Sequence, residues 1–202
     1  MPEADCGTPA TIQPSRAGSS SSAIASVRLR SAAAQSSSIS DVSPHMERIA
    51  AAAGVAKGTL FHRFGSRAGL LHELIAEGAF GLMDAVRSGP PPLGPGAPAG
   101  ERLLAYFDAM TRLIADDIEI SVAYRAIPPH PRAEELHLFW AAHITALLHE
   151  VRPDLDAEVV GGLLLAPLGG EVVPHLVRAG QTDRLLKSVR QLVESVIIPP
   201  RA

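Results

Sequence analysis

Large, mostly apolar residues recur along the second half of the chain at the spacing of amphipathic helices. Two stripes show this spacing: Leu103, Phe107, Met110 and Ile114, and Leu136, Trp140, His143, Leu147 and Val151. Residues 157–178 are apolar on nearly all sides, which predicts a helix buried by more than one neighbour and kinked or broken at Pro167 and Pro174. Thr182 and Asp183 predict the N-cap and first turn of a last helix, which Pro199 ends. Because no alternating pattern of useful length predicts a strand, the predicted fold class is all-α.

Composition divides the chain into four zones. Between residues 15 and 43 there are twelve serines in 29 positions. Such a segment has too few apolar groups to offset the conformational entropy that is lost on folding. We therefore expect residues 1–44 to be mostly disordered or to hold a degenerate first helix. Residues 45–88 have helical periodicity, residues 89–99 form a linker rich in proline and glycine, and residues 100–198 form a helical C-terminal domain.

The second zone contains a pattern typical of two short helices joined by a tight turn. The first helix runs from Met46 to Ala53, and Gly54 supplies the left-handed conformation that ends it. The second runs from about Ala56 to Arg63, with Leu60 and Phe64 facing the core. Two short helices around a glycine-containing turn form a helix-turn-helix, whose second helix enters the major groove of DNA.

This segment resembles the DNA-binding domain of the TetR family of bacterial transcriptional regulators. The shared pattern is Ile-Ala-x-x-Ala-Gly-Val-x-Lys-Gly-Thr-Leu-Phe-x-x-Phe-x-Ser-Arg-x-x-Leu-Leu, from Ile49 to Leu71. More weakly, the resemblance extends over residues 46–198. It implies a helix-turn-helix domain followed by a helical-bundle domain for ligand binding and dimerisation.

The resemblance also implies which residues contact DNA: Arg48, Lys57, Gly58, Thr59, Phe61, His62 and Arg67. Lys57 and Thr59 are placed to touch base edges or phosphates, and Arg67 to hold the DNA backbone. Phe61 stands where the family usually has a tyrosine, so the hydrogen bond of that hydroxyl to phosphate is missing here. The chain has a net charge of −3, so DNA binding must depend on this locally positive cluster.

The region before the motif departs from the family pattern. The family has a supporting amphipathic helix there, whereas residues 27–40 carry Arg28, Ser31 and Ser36 at positions of that helix. Two interpretations follow. Residues before about Val42 result from a frameshift or an altered gene start, or a divergent helix near residues 23–35 supports the motif.

The C-terminal domain is expected to hold a cavity and a dimer interface. Bulky side chains expected to line the cavity are Phe107, Met110, Tyr124, Phe139, Trp140 and His143, with plain core packing as the alternative for each. Apolar walls suit a small hydrophobic or aromatic effector. One apolar stripe on the last helix predicts a homodimeric four-helix interface: Leu185, Val189, Leu192 and Val196. Gly161 and Gly162 would permit close helix approach there.

No catalytic or metal-binding motif is apparent in the sequence. The single cysteine, Cys6, excludes an intramolecular disulfide framework and a cysteine-based zinc site. His137, His143 and His149 are six residues apart, a spacing that does not put neighbours on one helical face. We therefore expect no metal, no cofactor and no enzymatic activity.

The sequence predicts a cytoplasmic protein without membrane segments, since the longest apolar run is too short to span a bilayer and the start lacks a signal peptide. The predicted function is that of a TetR-like transcriptional repressor. Such a repressor binds a double-stranded, palindromic operator as a homodimer and is released by a small hydrophobic effector. The alternative is a dimeric small-molecule-binding or interaction protein that has lost DNA binding through a defective first helix.

Overall fold

A computed structural model describes residues 28–33, 43–127 and 133–198, and all regular structure in these ranges is helical. The all-α prediction is confirmed. The helices are α1 (described at residues 28–33), α2 (Ser43–Ala53), α3 (Lys57–Phe64), α4 (Arg67–Ser88), α5 (Ala99–Asp116), α6 (Ile118–Arg125), α7 (Ala133–Val151), α8 (Ala157–Leu165), α9 (Val172–Arg178) and α10 (Thr182–Ile197), with a 3₁₀ helix, Ala166–Gly169, between α8 and α9.

Two hydrophobic cores organise the helices. The N-terminal core is formed by α1, α2, α3 and the first half of α4, and α6 adds Ile120 and Ala123 to it. The C-terminal core joins α5, α7, α8 and α10 with the second half of α4, including Leu82 and Val86. The division between the cores therefore falls within α4, before the linker at residues 89–99.

Helix α1 packs against the helix-turn-helix motif. Its Leu29, Ala32 and Ala33 are all buried in the N-terminal core, beside Ile49 of α2. Burial of three residues in one and a half turns is the pattern of an amphipathic helix. This favours the divergent-helix interpretation of the N-terminal segment. The disorder expected over the rest of residues 1–44 concerns positions outside the described residues.

The apolar segment 157–178 is not continuous, as its prolines predict, and its burial differs from the prediction. It is broken into α8, the 3₁₀ helix with Pro167 in its first turn, and α9, because proline lacks the N–H that a continuing helix needs. Nor is it covered on all sides within the chain, since Val159 and Leu163 are 56% and 66% exposed. One face does pack closely: a Cβ at Gly161 would lie 3.1 Å from Ile144 of α7.

The last helix begins differently from its prediction. Thr182 is its first helical residue, and Gln181 takes the N-cap position without a side-chain hydrogen bond to the backbone. Among the described helices, none is by itself long and apolar enough to cross a membrane. The bent pair of segments Ala157–Gly169 and Val172–Arg178 reaches that length and composition together, with a 42° angle between them.

Candidate nucleic-acid interface and internal cavity

The turn between α2 and α3 has the geometry that the sequence predicts. Gly54 has a φ of 69°, in the left-handed region that favours glycine. The Val55 amide then donates to the carbonyl of Ala50 at 2.9 Å, which closes the turn. Leu60 anchors α3 in the N-terminal core at 2% exposure. The remaining faces of α3 are therefore turned outward.

A second turn fixes the start of α4. Gly65 also has a φ of 69°, and Ser66 caps the helix by accepting a hydrogen bond from the Gly69 amide at 3.1 Å. A Cβ at Gly69 would lie 2.1 Å from the carbonyl oxygen of Phe64, so this close approach requires glycine. These contacts fix Arg67 as the first residue of α4. The sequence analysis did not identify this role of Gly69.

The predicted DNA-contacting residues are mostly exposed in the structure. Those with exposed side chains or backbone are Arg48, Lys57, Gly58, Thr59, Phe61 and His62, and Arg67 is half-buried. A Cβ built at Gly58 meets no other element of the described chain within 4 Å. The space directly above Gly58 is therefore open.

The charge of this surface is partly compensated. Lys57 forms an ion pair with Glu47 of α2, and its Nζ lies 5.8 Å from the centroid of the Phe61 ring. The Arg63 guanidinium lies 5.3 Å from the Phe64 ring. Four basic residues, Arg48, Lys57, Arg63 and Arg67, face one acidic residue between positions 46 and 72. The net charge of the surface is positive, which suits a phosphate backbone.

An internal cavity of about 740 Å³ lies between α4, α5, α6 and α7. Its walls are largely apolar: Leu74, Ile75, Ala79, Met110, Leu113, Ile114, Ala133, Leu136 and Trp140. The polar and charged groups along it are His72, Asp117, Ser121, Tyr124, Arg125, Glu134 and His137. A cavity of this size with largely apolar walls is typical of a site for a small hydrophobic molecule.

Three of the six residues predicted to line the cavity do so: Met110, Tyr124 and Trp140. The prediction is wrong for Phe107, Phe139 and His143. Phe107 lies one turn before Met110 on α5, where the Tyr106 ring meets it edge-on at 5.3 Å and the space is filled.

Phe139 and His143 project from another side of α7. The Phe139 ring lies 4.6 Å from the Arg87 guanidinium at the end of α4. His143 lies beside Tyr106, with ring centroids 5.7 Å apart, and its partial burial, together with the positive charge of Arg102, lowers its pKa to about 4. Both residues therefore belong to the packing between helices and not to the cavity.

Several cavity residues were missed by the sequence analysis. Ser121 is three residues before Tyr124, and His137 is three before Trp140, so helical spacing from a predicted residue would have found both. Helical spacing from a predicted cavity residue would not have found His72, because His72 lies on α4 in the motif domain. Its Nδ1 is 3.2 Å from the Tyr124 hydroxyl, and burial raises the pKa of that phenol.

One of the two acidic groups that line the cavity is bound to the first helix. Asp117, between α5 and α6, forms an ion pair with Arg30 of α1. Arg30 also donates to the Leu74 carbonyl at 2.9 Å and to Glu77 at 3.0 Å, both on α4. One guanidinium thus connects the supporting helix of the motif to the cavity wall.

The predicted dimer residues on α10 mostly face inward. Leu185 is 4% exposed, and Val189 and Val196 pack against the C-terminal core, where α10 lies along α5. Only Leu192 is markedly exposed, at 43%. Leu185 is therefore buried within its own chain and Val189 and Val196 are partly buried there, while the dimer role of this stripe stays a prediction. The larger exposed apolar face is on α8.

The histidines and acidic residues do not assemble a metal centre in the part of the chain that the structure describes. No group of three or more His, Cys, Asp or Glu side chains there could hold a metal ion. His137 lines the cavity, and His143 packs beside Tyr106. His130 lies outside the described residues.

The fold and the site define a helix-turn-helix DNA-binding protein whose C-terminal helices enclose a cavity. Residues 43–74 match the family model of the bacterial regulatory proteins of the tetR family. Residues 43–74 therefore form a DNA-binding segment of the type found in the tetR family of bacterial regulatory proteins. A comparison with curated proteins gives no match.

Solved structures share the fold over most of this chain. FadR, a fatty acid degradation regulator from Bacillus halodurans, is 21% identical with a TM-score of 0.63, over 87% of this chain and 99% of that one. PfmR, a TetR family transcriptional regulator from Thermus thermophilus, is 20% identical with a TM-score of 0.62, over 87% and 96%. A TetR-like regulator from a Rhodococcus species is 18% identical with a TM-score of 0.61, over 87% and 94%.

Proposed function

We propose that this regulator is a homodimeric repressor that a small hydrophobic effector releases from a palindromic operator. The observation that carries the proposal is that one helix, α4, serves both sites. Its first residue, Arg67, borders the DNA-facing surface, and His72, Leu74 and Ile75 line the cavity one to two turns later. A molecule in the cavity therefore touches the helix that sets the position of the motif.

Recognition of DNA assigns different tasks to the exposed residues of the motif. Thr59 and His62 face outward on α3, the helix that enters the major groove, and read base edges. Arg48 and Arg67, on the flanking helices, bind phosphates and set the register. Gly58 allows the backbone of α3 to approach the DNA closely, because it adds no side chain to the open face.

A second copy of the chain covers the exposed apolar face of the C-terminal domain. Val159 and Leu163 of α8 and Leu192 of α10 are 56%, 66% and 43% exposed. Large apolar side chains exposed to this extent are typical of protein interfaces. A twofold dimer through this face presents two recognition helices to two half-sites, which explains the expected palindrome.

The effector acts by favouring one of two arrangements of the motif domains. Helix α6 lies between the sites, with Ile120 and Ala123 in the N-terminal core. On its other side, Glu119 accepts two hydrogen bonds of 2.7 Å from Arg178 of α9. In one arrangement the spacing of the two motif domains matches successive major grooves of DNA, and in the other it does not. An effector that binds the second arrangement more tightly shifts the population away from the DNA-bound state.

The size and apolar walls of the cavity support a hydrophobic effector. The related structures include regulators described as acting in fatty acid degradation or metabolism, from Bacillus halodurans and Clostridium perfringens. Their likeness to this chain concerns the fold, and the class of effector proposed here is argued from this cavity alone. The packed α1, with Leu29, Ala32 and Ala33 buried, argues against the alternative that DNA binding is lost through a defective first helix.

Trp140 makes the proposal testable, because it is the single tryptophan and lines the cavity. The operator is first obtained by selecting genomic fragments on the purified full-length chain. A panel of hydrophobic and aromatic compounds is then screened by Trp140 fluorescence and by release of the labelled operator. At least one compound is expected to do both with the same saturation curve. Failure to retain any DNA at low salt would show that the repressor function is wrong.

A further inference from the structure

The ion pair between Asp117 and Arg30 places a carboxylate, and not a guanidinium, on the wall of the cavity. Asp117 is among the lining residues, whereas Arg30 approaches it from α1, outside the lining. Both side chains are 21% exposed. A molecule in the cavity therefore meets the acidic half of the pair and can bind it only by offering hydrogen-bond donors or positive charge.

The charge around this pair is not balanced. Arg30 is shared between Asp117 and Glu77, and Asp116 lies close enough to repel Asp117. Burial first, and then these two neighbouring carboxylates, raise the pKa of Asp117 even though Arg30 acts in the opposite direction. One guanidinium thus compensates a cluster of three acidic groups, and the local site has an excess of negative charge.

The other ionisable groups along the cavity do not reverse this excess. Glu134 adds a second carboxylate to the lining. Arg125 is the arginine of the lining, and its guanidinium donates to the Leu168 carbonyl at 3.3 Å. His72 is engaged with the Tyr124 hydroxyl, and His137 lies on α7 beside Glu134. The aromatic faces of Tyr124 and Trp140 are suitable neighbours for a cation.

We propose that the effector of this repressor is an amphipathic cation, an apolar molecule with one positively charged nitrogen that competes with Arg30 for Asp117. The proposal rests on the function proposed above and names the chemical class of its effector. The apolar part fills the space between Met110, Leu113 and Trp140. An anionic amphiphile is disfavoured, because its head group would face the carboxylates of Asp117 and Glu134.

Competition for Asp117 also gives the effector a route to the DNA-binding motif. Arg30 belongs to α1, whose Leu29, Ala32 and Ala33 are packed in the core beneath the motif. When a ligand cation takes Asp117, Arg30 keeps its contacts with Leu74 and Glu77 on α4 but loses its contact with the α5–α6 junction. The motif domain then loses a polar contact with this junction, while Ile120 and Ala123 of α6 stay in the N-terminal core.

The test uses three probes with the same apolar chain: decyltrimethylammonium, decanoate and decanol, each below its micelle concentration. Binding to the full-length protein is followed by Trp140 fluorescence, and DNA release by fluorescence anisotropy. The cation is expected to bind at least about tenfold more tightly than decanoate and to release DNA. Decanol, which has the tail without the charge, should fall between them.

Two variants with opposite expectations separate competition from simple loss of stability. Asp117→Asn should remove the preference for the cation, whereas Arg30→Gln should increase cation affinity, because the competing guanidinium is gone. Asp116→Asn is the matched control: it removes the same charge one residue away, outside the cavity lining, and should keep most of the preference. Thermal unfolding of each variant shows that it is folded.

Each outcome decides a specific statement. Equal or tighter binding of decanoate overturns the cationic class, and an unchanged preference in Asp117→Asn overturns the role of that carboxylate. Weaker cation binding in Arg30→Gln contradicts competition. If the protein binds no DNA, the repressor function fails, but the fluorescence titrations still decide the ligand class.

Discussion

Lys57, the first residue of the recognition helix α3, forms an ion pair with Glu47 of the preceding helix α2. Both side chains remain more than half exposed, at 56% and 57%. An exposed pair of this kind contributes only about 0.2–1 kcal/mol to stability, so a phosphate can compete for the ammonium group. Glu47 therefore moderates the positive charge that Lys57 offers to DNA.

Replacing this carboxylate should strengthen DNA binding. In Glu47→Gln, Lys57 has no ion pair to break before it binds a phosphate. The affinity for all DNA sequences should therefore rise, with a small change in the melting temperature. Anisotropy titrations at several salt concentrations measure this. Glu101→Gln, an exposed acidic residue in the first turn of α5, is the control for net charge and should change affinity little. Equal affinities of Glu47→Gln and the parent would contradict the prediction.

Arg67 and Thr59 should affect DNA binding in different ways. Loss of a phosphate contact reduces the slope of log K against log salt by about 0.9 per contact, or roughly 2 for a dimer. Arg67→Ala should show this reduction on every sequence. Thr59→Ala should cost about 1 to 3 kcal/mol on the operator and little on random DNA. Arg112→Ala, an exposed basic residue of α5, is the control and should leave both quantities unchanged.

Replacing Gly58 should have opposite effects on the stability of the fold and on DNA binding. A methyl group at this helical position meets no other element of the described chain, so Gly58→Ala should stabilise the fold by about 0.5–1 kcal/mol. The same methyl group lies on the surface that approaches DNA and should weaken operator binding. A Cβ at Gly81 on α4 likewise meets nothing within 4 Å. Gly81→Ala should therefore raise the stability of the fold without weakening operator binding. Unimpaired binding by Gly58→Ala would show that the backbone of α3 does not approach DNA closely.

The dimer should depend on α8. Glutamate at Leu163, which is 66% exposed, would place a charge in the proposed interface and should give monomers in sedimentation. Phe80→Glu changes a residue of α4 that is 42% exposed and should leave the dimer intact. A stable dimer of Leu163→Glu would place the interface elsewhere.

His143 should make the protein sensitive to mild acid. Its pKa is about 4 in the folded chain, against an ordinary value of 6.5. Between these two pH values the imidazole is protonated in the unfolded chain and neutral in the folded chain. The free energy of unfolding should therefore fall as the pH drops from about 6.5 to about 4. Urea unfolding should show a smaller decrease for His143→Gln over this interval. His149→Gln, an exposed residue of the same helix, should behave like the parent.

The sequence by itself determined the features that depend on local interactions. The left-handed Gly54, the buried Leu60 and the outward face of α3 follow from residues within a few positions of one another. Helical periodicity also showed that α5, α7 and α10 exist and which of their faces are apolar. These results need no knowledge of distant parts of the chain, because backbone conformation and amphipathicity are set by neighbours in sequence.

The tertiary structure decided which neighbour covers each apolar face. Val189 belongs to an apolar stripe that could equally have met a second copy, and it packs against the C-terminal core instead. Phe107 lies on the same stripe as Met110, but only Met110 reaches the cavity. The contact of Arg30 with Asp117 joins residues 87 positions apart. Such choices depend on how the helices pack together, since periodicity identifies a buried face without identifying its partner.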